Sequence, residues 1–134
     1  MTDCGRWLIV TPTKECKYNL VYFTKISDVD IQGKLPLTPV ITKFERDYDY
    51  IANFGTKAIF RTNRDAPNFK LMTIDLENYK ENSWEELIPE HPQHVLDWAD
   101  VVDGNKLILC YMEDVKVIIF FFVIEISNLL TQFF

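Results

Sequence analysis

The sequence predicts an all-β fold: an incomplete β-propeller of about two four-stranded antiparallel blades plus part of a third. Three observations carry this. Short glycine turns, each followed by a basic residue and an apolar run, recur at Cys4-Gly5-Arg6-Trp7-Leu8-Ile9, Phe54-Gly55-Thr56-Lys57-Ala58-Ile59 and Asp103-Gly104-Asn105-Lys106-Leu107-Ile108, so that the glycines lie 50 and 49 residues apart. A period of that size built from short strands is what stacked blades produce, because one blade cannot bury both its faces alone. Helical periodicity is scarce, and the apolar stretches are short, β-branched or aromatic, and bounded by turn formers.

Four strands are expected in each repeat. In the first they are 6–11, 19–25, 38–44 and 48–53. The second holds 57–62, 69–76, 84–88 and 95–102, and the third begins with 106–112 and 116–124. Pro36 and Pro39 bracket the start of one strand, Asp65-Ala66-Pro67-Asn68 turns between two others, and Asp103-Gly104-Asn105 closes the second repeat. An immunoglobulin-like sandwich also uses about seven to nine short strands. It gives no reason for an internal echo, which favours the propeller.

Composition narrows the function. Ten Phe, six Tyr and three Trp among 134 residues supply a core, and the balance of 20 acidic against 14 basic residues offers no basic stripe for phosphates. Nucleic acid is therefore not expected as a partner. The cysteines, Cys4, Cys16 and Cys110, are odd in number and lack metal-ligand spacing, which fits reduced thiols in the cytoplasm. The N-terminus reads as no secretory signal, since Asp3 and Arg6 interrupt it.

From Val117 to Phe134, thirteen of eighteen residues are apolar, nearly the length of a membrane span. Glu125 stands near the middle of that stretch, and a central charge opposes insertion by about 3 kcal/mol. A β segment is the better reading.

No catalytic constellation is evident. Ser27, Ser83 and Ser127 lack the flanking glycines of a nucleophile elbow, and His91 and His94 share a loop with Pro92. The proline opposes the regular turn that would bring both imidazoles to one metal, and a catalytic zinc site needs a third ligand. The four glycines are too far apart for a phosphate-cradling loop, so no cofactor and no metal are expected. Trp7, Trp84 and Trp98 are read as packing between blades. Asn63 and Arg64, before the 65–68 turn, are read as serving turn geometry and inter-strand hydrogen bonds.

Several motifs in order resemble the propeller domain of the prolyl oligopeptidase family, cytosolic serine peptidases that cut short peptides after proline. They are Asp3-Cys4-Gly5-Arg6, Tyr48-Asp49-Tyr50-Ile51 with Asn53 and Gly55-Thr56, and Phe60-Arg61-Thr62-Asn63-Arg64 running into Ala66-Pro67-Asn68. Trp84, Leu87-Ile88-Pro89-Glu90-His91, Val95-Leu96-Asp97-Trp98, Leu109-Cys110-Tyr111 and Asp114-Val115-Lys116 continue the match. The resemblance implies a seven-bladed propeller that caps an α/β-hydrolase domain and admits only oligopeptides. It places the catalytic Ser, Asp and His in that hydrolase domain, which is not expected in these 134 residues.

The resemblance also implies a role for Cys16 as a wall of the substrate pocket on the propeller face. Thr13 stands where the family typically has an arginine, and Lys14 is its nearest cationic neighbour. The motifs end at Lys116. The expected division is thus a partial propeller over 1–116 and an apolar tail over 117–134 that departs from the pattern. The expected partners are the hydrolase domain of a parent enzyme and proline-containing oligopeptides. A non-catalytic propeller-like binding module and a truncated product without function are the alternatives.

Overall fold

Strand pairing follows the turns. The computed structural model describes residues 7–14, 18–26, 37–102, 106–113 and 118–125, with only the backbone of 113 and 118–125. No α-helix occurs among the described residues, and the strands form antiparallel sheets.

The first sheet runs in the order β1 (Trp7–Val10), β4 (Val21–Lys25), β5 (Thr38–Ile41). Between β1 and β4, the short strands β2 (Thr13–Lys14) and β3 (Tyr18–Asn19) pair with each other. They keep the register of the β1–β4 pair, and the Leu20 N–H donates to the Pro12 carbonyl at 2.9 Å. Pro12 cannot donate, yet one continuous hairpin passes through it because its carbonyl still accepts. Pro39 lies in β5, which pairs with β4 alone, and an edge strand tolerates a missing donor.

The second sheet has four strands in sequential order, β6 (Tyr48–Phe54), β7 (Lys57–Thr62), β8 (Lys70–Asp75) and β9 (Glu85–Ile88). A single 3-10 turn, Glu81–Ser83, precedes β9. The third sheet orders β10 (Val95–Val102), β11 (Lys106–Glu113) and β12 (Ile118–Glu125). β12 pairs with β11 residue by residue from Lys106↔Glu125 to Glu113↔Ile118, so the apolar run is a strand.

The expected phase of the repeat needs correction. Residues 48–53 and 95–102 do not close the first and second sheets; they open the second and third. The reason is local. Phe54 pairs with Lys57 across Gly55-Thr56, and Gly55 has φ +60°, the conformation that a two-residue hairpin takes at its first central position. A turn that tight joins hydrogen-bonded neighbours and cannot cross between blades. The glycines therefore mark the first hairpin inside a blade. Strands β1, β4 and β5 are the counterparts of β7, β8 and β9, while β10, β11 and β12 are those of β6, β7 and β8.

The middle sheet is buried on both faces. Ala58 and Phe60 of β7, with Met72 and Ile74 of β8, pack on Trp7, Val21, Phe23 and Ile41 of the first sheet. Ile59 and Leu71, pointing the other way, pack with Leu87 on Leu96, Ala99, Leu107, Leu109 and Tyr111 of the third sheet side. Alternation along a strand sends successive side chains to opposite faces, so a strand buried on both must be apolar without interruption. Ala58-Ile59-Phe60 is such a run, each residue with no accessible surface.

Edge-to-face aromatic pairs fill the first interface. Trp7 meets Phe23 at 5.7 Å, Phe23 meets Tyr79 at 5.5 Å, and Tyr48 meets Trp84 at 6.5 Å between centroids. Trp7 and Trp84 thus pack between blades as expected. Trp98 points away from the second sheet: the register of β10 shifts between Leu96 and Trp98, which pairs with Cys110, and the residue is 40% exposed. A bulge adds one residue and turns the following side chains to the other face.

Candidate functional site

Antiparallel order puts alternate connections at one end of the sheets. The paired strands β2 and β3, the β5–β6 connection at 42–47, the β7–β8 turn at 63–69 and the β9–β10 connection at 89–94 share this rim. Cys16, the expected pocket-wall residue, belongs to 15–17 and lies outside the described residues. Its flanking strands are described. Thr13 pairs with Asn19, Lys14 pairs with Tyr18, and the Lys14 ammonium stands 5.9 Å from the Phe44 ring centroid.

Three asparagines tie the rim together. The Asn19 side chain acts as a strand of one residue: its Oδ1 accepts the Tyr48 N–H at 2.6 Å, and its Nδ2 donates to the Tyr48 carbonyl at 2.7 Å. Its own N–H donates to the Arg46 carbonyl at 3.2 Å. Asn63 Oδ1 accepts the Asp47 N–H at 2.9 Å, and its carbonyl accepts the Ala66 N–H at 3.1 Å. Asn68 Nδ2 donates to the His91 carbonyl at 3.0 Å, while its N–H donates to Glu90 Oε2 at 2.7 Å. The Leu96 N–H then donates to the Asn68 carbonyl at 2.8 Å.

Asn63 and Arg64 serve the turn, as expected. Arg64 N–H donates to Thr62 Oγ1 at 3.1 Å, and Asp65 adopts φ 50° in the tight reversal. Phe69 is left-handed as well, at φ 67°, held under the guanidinium of Arg61 at 3.8 Å. Arg61 Nε also donates to the Leu96 carbonyl at 2.7 Å, joining the second sheet to the third. Its ion pair with Asp49, at 2.7 Å, is half exposed on the acid side and adds little.

Arg61→Lys is expected to lower stability by about 2 kcal/mol, because an ammonium cannot both stack and donate along Nε. The midpoint of chemical denaturation measures it. No shift relative to the parent chain would show that the seam does not depend on this fork.

Beside the asparagine bridges are two polar recesses. One, of about 380 Å³, is lined by Arg46, Tyr48, Arg64, Glu81 and Trp84, and the other, of about 300 Å³, by Tyr18, Arg46, Asn63 and Pro67 among others. Arg64 is committed within the first: it pairs with Glu81 and lies 4.7 Å over the Trp84 ring. Burial pushes the Tyr48 phenol above its usual range, against the pull of Arg64. Burial, followed by the like charge of Asp49, raises the Asp47 carboxyl.

Ser83 is not poised as a nucleophile. Its Oγ lies 2.7 Å from the carbonyls of both Asn78 and Lys80, which engage its single proton. The length of β9 separates it from the histidines. His91 and His94 stack at 4.4 Å with 25° between planes, and His91 Nδ1 accepts the N–H groups of Gln93 and His94. No group of three or more His, Cys, Asp or Glu side chains able to hold a metal occurs among the described residues. Nor is any helix there long and apolar enough to cross a membrane.

Asn19, Arg61 and Asn68 were not singled out by the sequence reading. Asn19 carried one signal: an asparagine between Tyr18 and Leu20-Val21 is a poor strand former in a strand context.

Antiparallel sheets of three and four described strands, stacked face to face through apolar seams and repeating every half-hundred residues, define a segment of a β-propeller. Residues 1–132 match the family model described as prolyl oligopeptidase, N-terminal beta-propeller domain. The chain belongs to that family.

Prolyl oligopeptidase A of Amanita bisporigera is 27% identical over 116 residues, which is 86% of this chain and 15% of the relative. A prolyl endopeptidase of Elizabethkingia miricola is 26% identical over 116 residues, 85% of this chain and 15% of the relative. Prolyl oligopeptidase B from Galerina marginata, solved with a 35mer hydrolysis and macrocyclization substrate, superposes with a TM-score of 0.85 at 22% identity, over 96% of this chain and 18% of that one. The chain thus spans less than a fifth of the length of these relatives.

Proposed function

We propose that the chain contributes to the propeller that gates oligopeptide access in a prolyl oligopeptidase-type serine endopeptidase of the cytoplasm. The observation that carries this reading is the family match over residues 1–132. Bond-making residues are assigned to a hydrolase domain, and proline-containing oligopeptides are the substrate class. The β2–β3 hairpin brings Cys16 to the substrate side, where its thiol forms a weakly polar wall of the pocket.

Two measurements test this. A recombinant chain of these 134 residues, given a proline-containing reporter peptide, is expected to show no turnover above buffer. Turnover abolished by a serine-directed inhibitor would overturn the assignment of catalysis to a separate domain. Maleimide labelling of Cys16, followed by peptide mapping, is expected to slow in the presence of a proline-containing oligopeptide. Equal rates at saturating peptide would remove Cys16 from the pocket.

A further inference from the structure

The two seams of the rim are closed by different chemistry. Between the first and second sheets the closing side chains are Asn19 and Asn63, amides that neither gain nor lose a proton in the physiological range. Between the second and third sheets, Asn68 reaches across to the 89–94 connection, and that connection is itself held in shape by an imidazole. His91 Nδ1 accepts the Gln93 N–H at 3.1 Å and the His94 N–H at 3.0 Å. Both donors are backbone groups, so the acceptor must be an unprotonated ring nitrogen; the flipped ring would present a C–H to them.

We infer that the 89–94 connection is a pH-sensitive latch: protonation of His91 at Nδ1 expels both backbone donors and loosens this connection from the 66–69 turn at the rim of the seam between the second and third sheets. Imidazole is the side chain whose ordinary range of proton exchange spans pH 5 to 8. A proton on Nδ1 converts an acceptor of two bonds into a donor facing two donors. The stacked His94 ring, 4.4 Å away, adds charge repulsion when both rings are protonated.

The surrounding groups bear on the sign. Glu90 is engaged with the Asn68 N–H, and Tyr111 of β11 tilts against His91 at 5.5 Å with its phenol pushed up by burial, so it is neutral. Arg61 of β7, bound to the Leu96 carbonyl, adds positive charge at the seam, while Asp97 of β10 acts on Cys110. His91 Nδ1 donates to no carboxylate in this structure; it accepts two backbone N–H groups. The closed connection therefore belongs to the neutral ring, and acid favours the open one.

Once His91 moves, its carbonyl leaves Asn68 Nδ2, and Asn68 loses one of its three hydrogen bonds to residues 90–96. The side chains that bridge the first seam, Asn19 and Asn63, do not titrate, and their bonds to the backbone of Tyr48 and Asp47 stay made. The latch is independent of where catalysis resides.

Hydrogen exchange and imidazole nitrogen NMR on the whole chain test it. At about pH 7.5 His91 is expected to be the Nε2–H tautomer. Between about pH 7.5 and 5.5, after correction for intrinsic exchange, amides of Gln93, His94 and Leu96 are expected to lose about tenfold in protection, while that of Tyr48 holds. His91→Asn, whose side chain can accept the same turn bonds without titrating, is expected to keep protection at both values. An Nδ1–H tautomer at the higher pH overturns the latch even if the variant fails to fold. So does equal protection of the two seams in acid, or a pH response in His91→Asn matching that of the parent.

Discussion

Phe60→Ala is expected to destabilise the chain by about 4 kcal/mol, with an unchanged denaturant slope if unfolding stays two-state. Phe60 has no accessible surface, packs on the first sheet from the middle of β7, and meets Tyr50 edge-on at 5.9 Å. Truncation removes the transfer energy of the ring and leaves a cavity flanked by Ala58, Met72 and Ile74, strands fixed by pairing on both sides. A sheet held so cannot collapse into the void, which places the cost at the high end of the range for this substitution. Trp98→Ala, at an exposed position, is the control and is expected to cost about 0.5 kcal/mol or less, the ordinary surface range. Equal midpoints for the two variants would contradict the placement of the core.

Asn19→Leu is expected to cost about 3 kcal/mol. Leucine fits the volume but strands two backbone groups of Tyr48, the N–H and the carbonyl, in a place where Asn19 itself is only 3% exposed. Each buried unpaired group costs about 1–3 kcal/mol, whereas the bond it replaces contributes less than that on net. Asn19→Asp separates the two: it keeps the acceptor for the Tyr48 N–H, loses the donor and brings a charge. A denaturation midpoint equal to the parent's in Asn19→Leu would mean that Tyr48 finds other partners.

Strands were legible because they are written in residue type: Trp7–Val10, Lys57–Thr62 and Lys106–Glu113 are bulky, short and bounded by turn formers. Even the apolar run after Lys116 announced a strand. Their grouping was harder to read. A glycine turn reports that the chain reverses, and the reversal looks the same in sequence inside a blade or between blades; only the tightness of the Phe54↔Lys57 closure decides it.

The rim was legible at Asn63, whose bonds serve a neighbouring turn, and illegible at Asn19, whose partner lies 29 residues away. Long-range amide bridges have no local signature. Arg61 was legible only as part of the Phe60–Arg64 motif, since nothing in its neighbourhood along the chain points to the Leu96 carbonyl. Trp98 read as packing because spacing does not register a bulge.

The uninterrupted register through Pro12 makes the first hairpin a lever arm. The arm runs eight residues from Trp7 to Lys14, all but Thr11 paired or bridged, about 25 Å at the usual rise per strand residue. Its base is clamped in the apolar seam by Trp7 and Phe23, and Asn19 pins it near the far end. A tilt of about five degrees at the base would sweep the tip through about 2 Å at that length. Small changes in how the first two sheets seat on one another are thereby magnified at Lys14 and Tyr18, and Asn19 is the brake on that magnification.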